Sequence, residues 1–99
     1  MASPLHYAAE YNHTDAMQLL IDHGANINKK GGNDITPMHW AVVKVNMEAI
    51  QLLIDNGVDV NAADNEGWTS MEFAFYTPGD RYDDVASMIQ LLAANGGHR

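Results

Sequence analysis

The chain has 99 residues, of which 46% are hydrophobic and 18% charged, and its 13 Asp and Glu against 5 Lys and Arg give a net charge of −8. A chain of this size and composition forms one small domain with a packed core. Five scattered basic residues in an acidic chain argue against binding to nucleic acid or to an anionic membrane surface. The absence of cysteine excludes disulfides, thiol nucleophiles and thiolate metal sites.

A short helix is predicted at the start of each of three sequence units. Ser3–Ala8 returns as Thr36–Ala41 and again as Thr69–Ala74, which defines a constant 33-residue period. A Ser or Thr followed by proline starts a helix, because the hydroxyl caps free N–H groups and proline needs no hydrogen bond in the first turn. In the third copy, Thr69 and Glu72 have the spacing of a capping box.

A second helix follows in each unit, with apolar residues at helical spacing. Leu19–Asn28 returns as Leu52–Asn61 with the same period, whereas the third copy, Leu91–Gly96, comes later than the period predicts. The delay indicates a six-residue insertion near 77–82, which is expected to form a mobile loop between two helices. The apolar residues of the second helices are Ala16, Leu19, Leu20, Ala49, Ile50, Leu53, Ile54, Met88, Ile89 and Leu92. A left-handed glycine is predicted to end each of these helices, at Gly24, Gly57 and Gly96.

Two short helices and a turn cannot bury their own apolar faces, so the units must stack. The 33-residue period, the T-P-L-H type of start and the L-L-I-x-x-G-x-x-x-N end closely resemble ankyrin repeats, over nearly the whole chain from Ser3 to Gly96. The resemblance implies an all-α solenoid of helix-turn-helix units joined by projecting β-turn hairpins. Its repeats would cover about 3–30, 31–63 and 64–97, as a single domain.

Three residues depart from the family pattern. Asp34 replaces the usual turn glycine, and Val45 stands where the family prefers glycine between the two helices. A valine with positive φ is strained, so we expect Asn46 to take the left-handed conformation or the helix cap instead. Glu72 replaces the histidine of the first two units, a change similar to that in many last ankyrin repeats, and this favours 96–99 as the true end of the array.

Residues that repeat with the 33-residue period have both a functional and a structural interpretation. His6 and His39 are candidates for metal ligands or catalytic bases, but their equivalent positions favour hydrogen bonds that link hydroxyls to turn backbone. Tyr7, Trp40 and Phe73 also recur with this period, and we expect them to form core packing between units rather than a ligand cage.

The remaining polar residues show no catalytic or metal-binding pattern. Three further histidines are expected to be exposed, namely His13, His23 and His98. The acidic cluster at Asp80, Asp83 and Asp84 includes Arg81 and lacks the alternating oxygen ligands of a calcium loop, so a solvated loop is predicted. No serine lies in a nucleophile elbow and no glycine-rich phosphate loop is present. The sequence therefore predicts no enzyme activity, no cofactor and no metal.

The resemblance implies that a partner lies across the concave side formed by the projecting turns and the first, shorter helices. On this sequence that side comprises ten residues, which we call the concave strip: Tyr11, Lys30, Asn33, Ile35, Val43, Lys44, Asn65, Glu66, Trp68 and Tyr76, with Glu10 and Thr77 beside them. Aromatic residues supply much of the energy of protein interfaces. The function expected is a non-catalytic module that binds another protein, although Ile35 and Trp68 have the alternative role of covering their own turns.

Two other functions stay open at this point. The missing turn before the first unit favours a fragment or regulatory ankyrin module of a longer protein, controlling an attached enzyme or channel domain in cis. Asn28 and Asn61 each follow a leucine by eight residues, similar to ankyrin sites of the asparaginyl hydroxylase that regulates the hypoxia response. That spacing follows from the repeat itself, so it discriminates little.

The two ends of the array are expected to differ. No turn or helix precedes Ser3 to cover Leu5 and Leu19 on their outward side, so we expect a marginally stable chain that self-associates through its first repeat or gains stability from residues upstream. The third repeat is expected to be better protected, by the polar residues Glu72, Asn95, His98 and Arg99. Without a signal peptide or a transmembrane segment in the sequence, a cytoplasmic location is expected, or a nuclear one in a eukaryote.

Overall fold

The computed structural model describes residues 2–77 and 82–97. Within those ranges the chain forms six α-helices and no strand: α1 (Pro4–Glu10), α2 (Thr14–Asp22), α3 (Pro37–Val43), α4 (Met47–Asp55), α5 (Ser70–Phe75) and α6 (Tyr82–Ala94). The first helices of the units, α1, α3 and α5, pack side by side, and each packs against the helix that follows it. This is the stacked helix-turn-helix solenoid that the repeats predict. Most of the predicted insertion, at 78–81, lies outside the described residues.

Capping boxes start all three first helices, as their sequences predict. The hydroxyls of Ser3, Thr36 and Thr69 each accept a hydrogen bond from the backbone N–H three residues later, at distances of 3.3–3.4 Å. The side chain at that third position accepts a bond from the backbone N–H of the capping residue in return. Two otherwise unsatisfied N–H groups are paired at each helix start, so the short helices are defined locally.

The second helices end at left-handed glycines, as predicted. Gly24, Gly57 and Gly96 have φ values of 93°, 83° and 87°, and each lies two residues beyond the last helical residue. At a positive φ, a residue with a Cβ atom is strained and glycine is not. The glycines therefore set the direction in which the chain leaves each second helix.

The hydrophobic core lies between the two layers of helices, and its composition in the first repeat differs from the predicted set. In α4, Ala49 is fully buried and Leu52 is half-buried; in α2, the equivalent residues Ala16 and Leu19 are exposed, Leu19 to 60%. The predicted face of α2 is wrong at these two positions, and Met17 is buried instead. The reason is that α2 covers one side of α4, whereas no described element covers the equivalent side of α2.

For the turn between α3 and α4 we predicted that Asn46 takes either the left-handed conformation or the cap of the next helix. The first of these two alternatives is wrong. Val45 itself has a positive φ of 55°, while Asn46 has a φ of −86° and occupies the cap position of α4. The Asn46 side chain makes no cap bond to α4. Its Nδ2 atom donates to the carbonyl oxygens of Ala9 and Glu10 at 2.9 Å each. Val45 is 4% exposed, so burial of its side chain compensates for the strained backbone.

No helix among the residues described has both the length and the apolar character that a membrane-spanning segment requires.

Candidate protein-binding surface

The two repeated histidines form the hydrogen-bonded junctions between repeats, as the structural interpretation predicts. The Nδ1 atom of His39 accepts from the Thr36 backbone N–H at 3.0 Å, and its Nε2 atom lies 3.0 Å from the carbonyl oxygen of Trp68 in the next repeat. His6 repeats this arrangement with Ser3 at 2.9 Å and with the carbonyl oxygen of Ile35 at 2.7 Å. A backbone N–H only donates and a carbonyl only accepts, so Nε2 carries the proton and both imidazoles are neutral.

Burial keeps these imidazoles neutral. Desolvation lowers the pKa of His6 and of His39 below the ordinary value, and it outweighs the opposing effect of their bonds to backbone carbonyls. Each ring uses both nitrogens in the junction, which leaves neither available to bind a metal or to act as a base. Their geometry therefore assigns them a structural role.

The other titratable candidates are dispersed over the surface. His13 and His23 are exposed, as predicted, and so are Asp83 and Asp84 in the first turn of α6. Asp80 and His98 lie outside the described residues. Within the part of the chain that the structure describes, no group of three His, Asp or Glu residues is placed to hold a metal ion.

A groove of about 490 Å³ lies on the side formed by the first helices and the projecting turn before α3. Its lining residues are Ala2, His6, Gly31, Gly32, Asn33, Ile35, His39, Trp40, Val43 and Phe73. Three members of the predicted concave strip, Asn33, Ile35 and Val43, are thus brought together in one cavity. Ile35 is half-buried and Val43 is 43% exposed, so both apolar side chains are accessible from the groove.

A second group of predicted residues forms an aromatic cluster beside the groove. The rings of Trp68 and Tyr76 lie 5.2 Å apart, and Trp68 lies 5.3 Å from the ring of Phe73. Because Phe73 lines the groove and also touches Trp68, the cluster and the groove form one continuous surface. Tyr76 is 60% exposed and Trp68 is half-buried.

The prediction that Tyr7, Trp40 and Phe73 belong to the core is corrected by the structure. Tyr7 is 56% exposed, whereas Trp40 and Phe73 are half-buried walls of the groove. These rings lie on the more exposed face of the first helices, and the buried positions are the helix residues beside them. Helical spacing could have predicted this exposure, because Trp40 is three residues from Val43 and shares a helix face with it. Phe73 and Tyr76 have the same relation.

The remaining residues of the concave strip are distributed around these two groups. Lys30 donates from Nζ to the Ala63 carbonyl oxygen at 3.1 Å. Asn65 donates from its backbone N–H to the Asn33 carbonyl oxygen at 2.9 Å, which joins neighbouring turns. Glu66 and Lys44 are exposed, the latter at the end of α3.

Tyr11 lies away from the groove. It is 63% exposed at the end of α1, with its ring 6.3 Å from that of His13. Of the two flanking residues, Glu10 is half-buried and Thr77 donates from its hydroxyl to the Phe73 carbonyl oxygen at 2.8 Å.

Comparisons with known proteins agree with this architecture. The family described as Ankyrin repeats (3 copies) matches residues 5–98. A search of solved structures finds the ankyrin repeat domain of human ASB11, at a TM-score of 0.81 and 26% sequence identity, covering 98% of this chain. The chain spans 41% of the length of that domain. A search of curated proteins finds no match. From the family match and the shared fold, we conclude that the chain belongs to the ankyrin repeat family.

Proposed function

We propose that this domain binds another protein through its concave surface and performs no catalysis. The observation that carries the proposal is the location of the exposed large apolar side chains. Among the residues described there are six of them, and five lie on the first helices or at their C-terminal caps: Tyr7, Tyr11, Val43, Phe75 and Tyr76. Phe75 occupies the repeat position of the buried residues Ala9 and Val42, and it is exposed because no described repeat follows it. The other four expose apolar area on the layer of first helices, and exposed apolar area of this kind is typical of a protein interaction site.

Within this surface we assign the anchoring role to Trp68 and Tyr76. Their rings are in contact, and Tyr76 is largely exposed. A partner that covers them would bury aromatic area against a rigid helix end, which is the arrangement that contributes most to binding energy in other interfaces.

The acidic charge of the chain supports a basic partner and association that slows as salt increases. Lys30 and Lys44 of the concave strip, with Lys29 beside them, are a local exception, and they would favour an acidic segment instead. An association rate independent of ionic strength would contradict electrostatic steering of either kind.

Affinity capture from the native extract tests the proposal, with the parent chain, Trp68→Ala and Tyr76→Ala as baits. Loss of a central aromatic anchor should weaken binding of the captured protein by about 2 kcal/mol or more. Leu19→Ala is the matched control, because Leu19 is equally exposed but lies on α2, in the other layer of helices. If both aromatic variants bind as well as the parent, the anchors are wrongly placed.

A regulatory module within a longer protein is the second candidate function. It is favoured by the exposed apolar residues Ala16 and Leu19, whose equivalents in the next repeat are covered by α2. An antibody against the chain, applied to the native extract, distinguishes the two. A polypeptide much larger than the 10.9 kDa of this chain supports the regulatory module, and one of that mass contradicts it.

A further inference from the structure

The outward side of the first repeat presents a helix face that no described element covers. Leu19 of α2 is 60% exposed and lies beside the exposed Ala16, whereas the equivalent Leu52 is half-buried next to α2. Pro4 at the start of α1 is exposed too, while the equivalent Pro37 is buried. The first repeat therefore leaves uncovered the apolar residues that the second repeat buries in a contact between helices.

Contacts between the first two repeats identify the polar side chains of this uncovered face. Glu48 and Asn56 of the second repeat each form a side-chain hydrogen bond of 3.2 Å to the first repeat. The equivalent residues of the first repeat are Asp15 and His23, and both are exposed. Because α2 and α4 have the same length and the same position in their repeats, Asp15 and His23 lie on the uncovered side of α2. We call Asp15, Ala16, Leu19 and His23 the open face.

The open face has opposite polar groups at its two ends. Asp15, Leu19 and His23 are separated by four residues each, so they lie on one side of the helix. With a rise of 1.5 Å per residue, the carboxylate and the imidazole belong to positions about 6 Å along the axis on either side of Leu19.

This arrangement makes the open face complementary to itself. When a second α2 crosses the first in the antiparallel direction, with the two copies of Leu19 in contact, each Asp15 comes opposite the His23 of the other copy. An imidazole donates a hydrogen bond to a carboxylate in both its neutral and its charged form. One such contact joins the apolar centres and pairs both polar ends.

Glu72 disfavours the alternative in which copies stack head to tail. At the junction between the second and third repeats, Nε2 of His39 lies 3.0 Å from the carbonyl oxygen of Trp68, to which it donates. The third repeat has Glu72 in place of this histidine, and an ionised carboxylate only accepts. Stacked on the first repeat of another copy, it would face the equivalent carbonyl oxygen, that of Ala2, as a second acceptor.

A further ankyrin repeat also fits the open face less well than a second copy does. The amides of Asn46 and Asn56 donate the bonds that tie the second repeat to the first. In the first repeat these two positions are His13 and His23. The open face thus keeps the apolar residues of a stacking surface but not its amides, and an imidazole is better matched by a carboxylate.

We propose that the chain forms a two-fold symmetric dimer in which α2 packs antiparallel against α2 of a second copy, with Leu19 at the centre and Asp15 paired with His23 at each end. A self-complementary patch that closes around a two-fold axis is the commonest way in which identical chains associate. The open face lies in the layer of second helices, away from the concave strip, so this proposal goes beyond the proposed function and either can fail without the other.

Sedimentation equilibrium of the purified chain tests the dimer. The contact rests on one helix of nine residues, so a weak dimer is expected, with a dissociation constant of about 10–500 µM. Leu19→Glu places two carboxylates at the centre of the contact and should weaken the dimer at least about tenfold. The core stays intact in this variant because Leu19 is already largely exposed.

Ala86→Glu is the matched control. It adds the same charge at an exposed position of α6, in the third repeat, and should dimerise like the parent chain. A parent chain that is monomeric at about 1 mM, a Leu19→Glu chain that dimerises as tightly as the parent, or assembly that continues beyond the dimer would each overturn the proposal.

Reversing the charge at each end tests the antiparallel direction. His23→Glu opposes two carboxylates in its own dimer, and Asp15→Lys opposes an ammonium and an imidazole, so each variant alone should dimerise at least about tenfold more weakly than the parent. In a mixture of the two, one end pairs the introduced carboxylate with the introduced ammonium, and the other end keeps the original pair. The mixed dimer should therefore form in preference to either single dimer. Circular dichroism of each variant at low concentration checks that it folds, and a mixture with no preference for the mixed dimer overturns the antiparallel contact.

Discussion

His39 makes the junction between the second and third repeats, and its removal should cost a large fraction of the stability of the domain. In His39→Ala, the capping box loses the bond from the Thr36 backbone N–H to Nδ1, which costs about 1 kcal/mol, while the bond from the backbone N–H of residue 39 to Thr36 Oγ1 remains. The Trp68 carbonyl oxygen is left without its donor, which costs about 1–3 kcal/mol when the group stays buried. Since His39 is fully buried, a cavity adds to this sum. We expect a loss of about 2–4 kcal/mol before the cavity is counted, against a total of about 5–15 kcal/mol for a domain of this size.

A glutamine at the same position separates the two contributions. Glu72 shows that a carboxylate at the third helical position accepts from the capping residue, with 3.4 Å between Thr69 N and Glu72 Oε1. The oxygen of His39→Gln can therefore restore the capping box, but its short amide cannot also reach the next repeat. We expect a loss of stability between that of the parent chain and that of His39→Ala.

Urea unfolding followed by circular dichroism and tryptophan fluorescence measures these losses. His13→Ala is the control, because His13 is exposed and makes no side-chain cap bond at the start of α2; it should change stability by less than about 0.5 kcal/mol. A His39→Ala chain as stable as the control, or a fully stable His39→Gln chain, would refute the assignment of His39 as the junction.

Three further outcomes are expected. First, burial lowers the pKa of His6 and of His39 in the folded chain. Below a pH of about 6.5, the ordinary pKa of histidine, these two side chains therefore bind more protons in the unfolded chain than in the folded one. The free energy of unfolding should fall as the pH drops from about 6.5 towards the folded pKa values, which urea titrations at several pH values measure. His39→Gln should show a weaker pH dependence. A free energy of unfolding that stays constant over that range in the parent chain would contradict this prediction. Second, Val45→Ala should destabilise the chain at least as much as Val45→Gly, because alanine keeps the strain at a φ of 55° and glycine relieves it. A glycine variant that is less stable than the alanine variant by about 1 kcal/mol or more would show that side-chain burial alone determines stability at this position. Third, amide hydrogens of α2 should exchange faster than those of α4, and Leu19→Glu should remove any concentration dependence of unfolding. Equal protection of the two helices at monomeric dilution would contradict a first repeat whose outward side is uncovered.

The helices and their ends were predictable from the sequence, because they depend on residues close together in the chain. The capping residues Ser3, Thr36 and Thr69 bond to groups only three positions away, and the glycines act on their own φ. The 33-residue period then implies stacking, since equivalent faces must pack against one another. The role of the two histidines followed from the same periodicity.

The tertiary structure decided which of the repeated positions are buried, because burial depends on the neighbouring repeat. Leu19 and Leu52 are equivalent in sequence, yet among the described helices α2 lies beside Leu52 and none covers Leu19. Periodicity could not show that Tyr7 faces outward and Trp40 faces the groove, because a repeated ring has the same pattern in a core and on a surface. The strained φ of Val45 was also unpredictable locally, since its compensation comes from burial among residues distant in sequence.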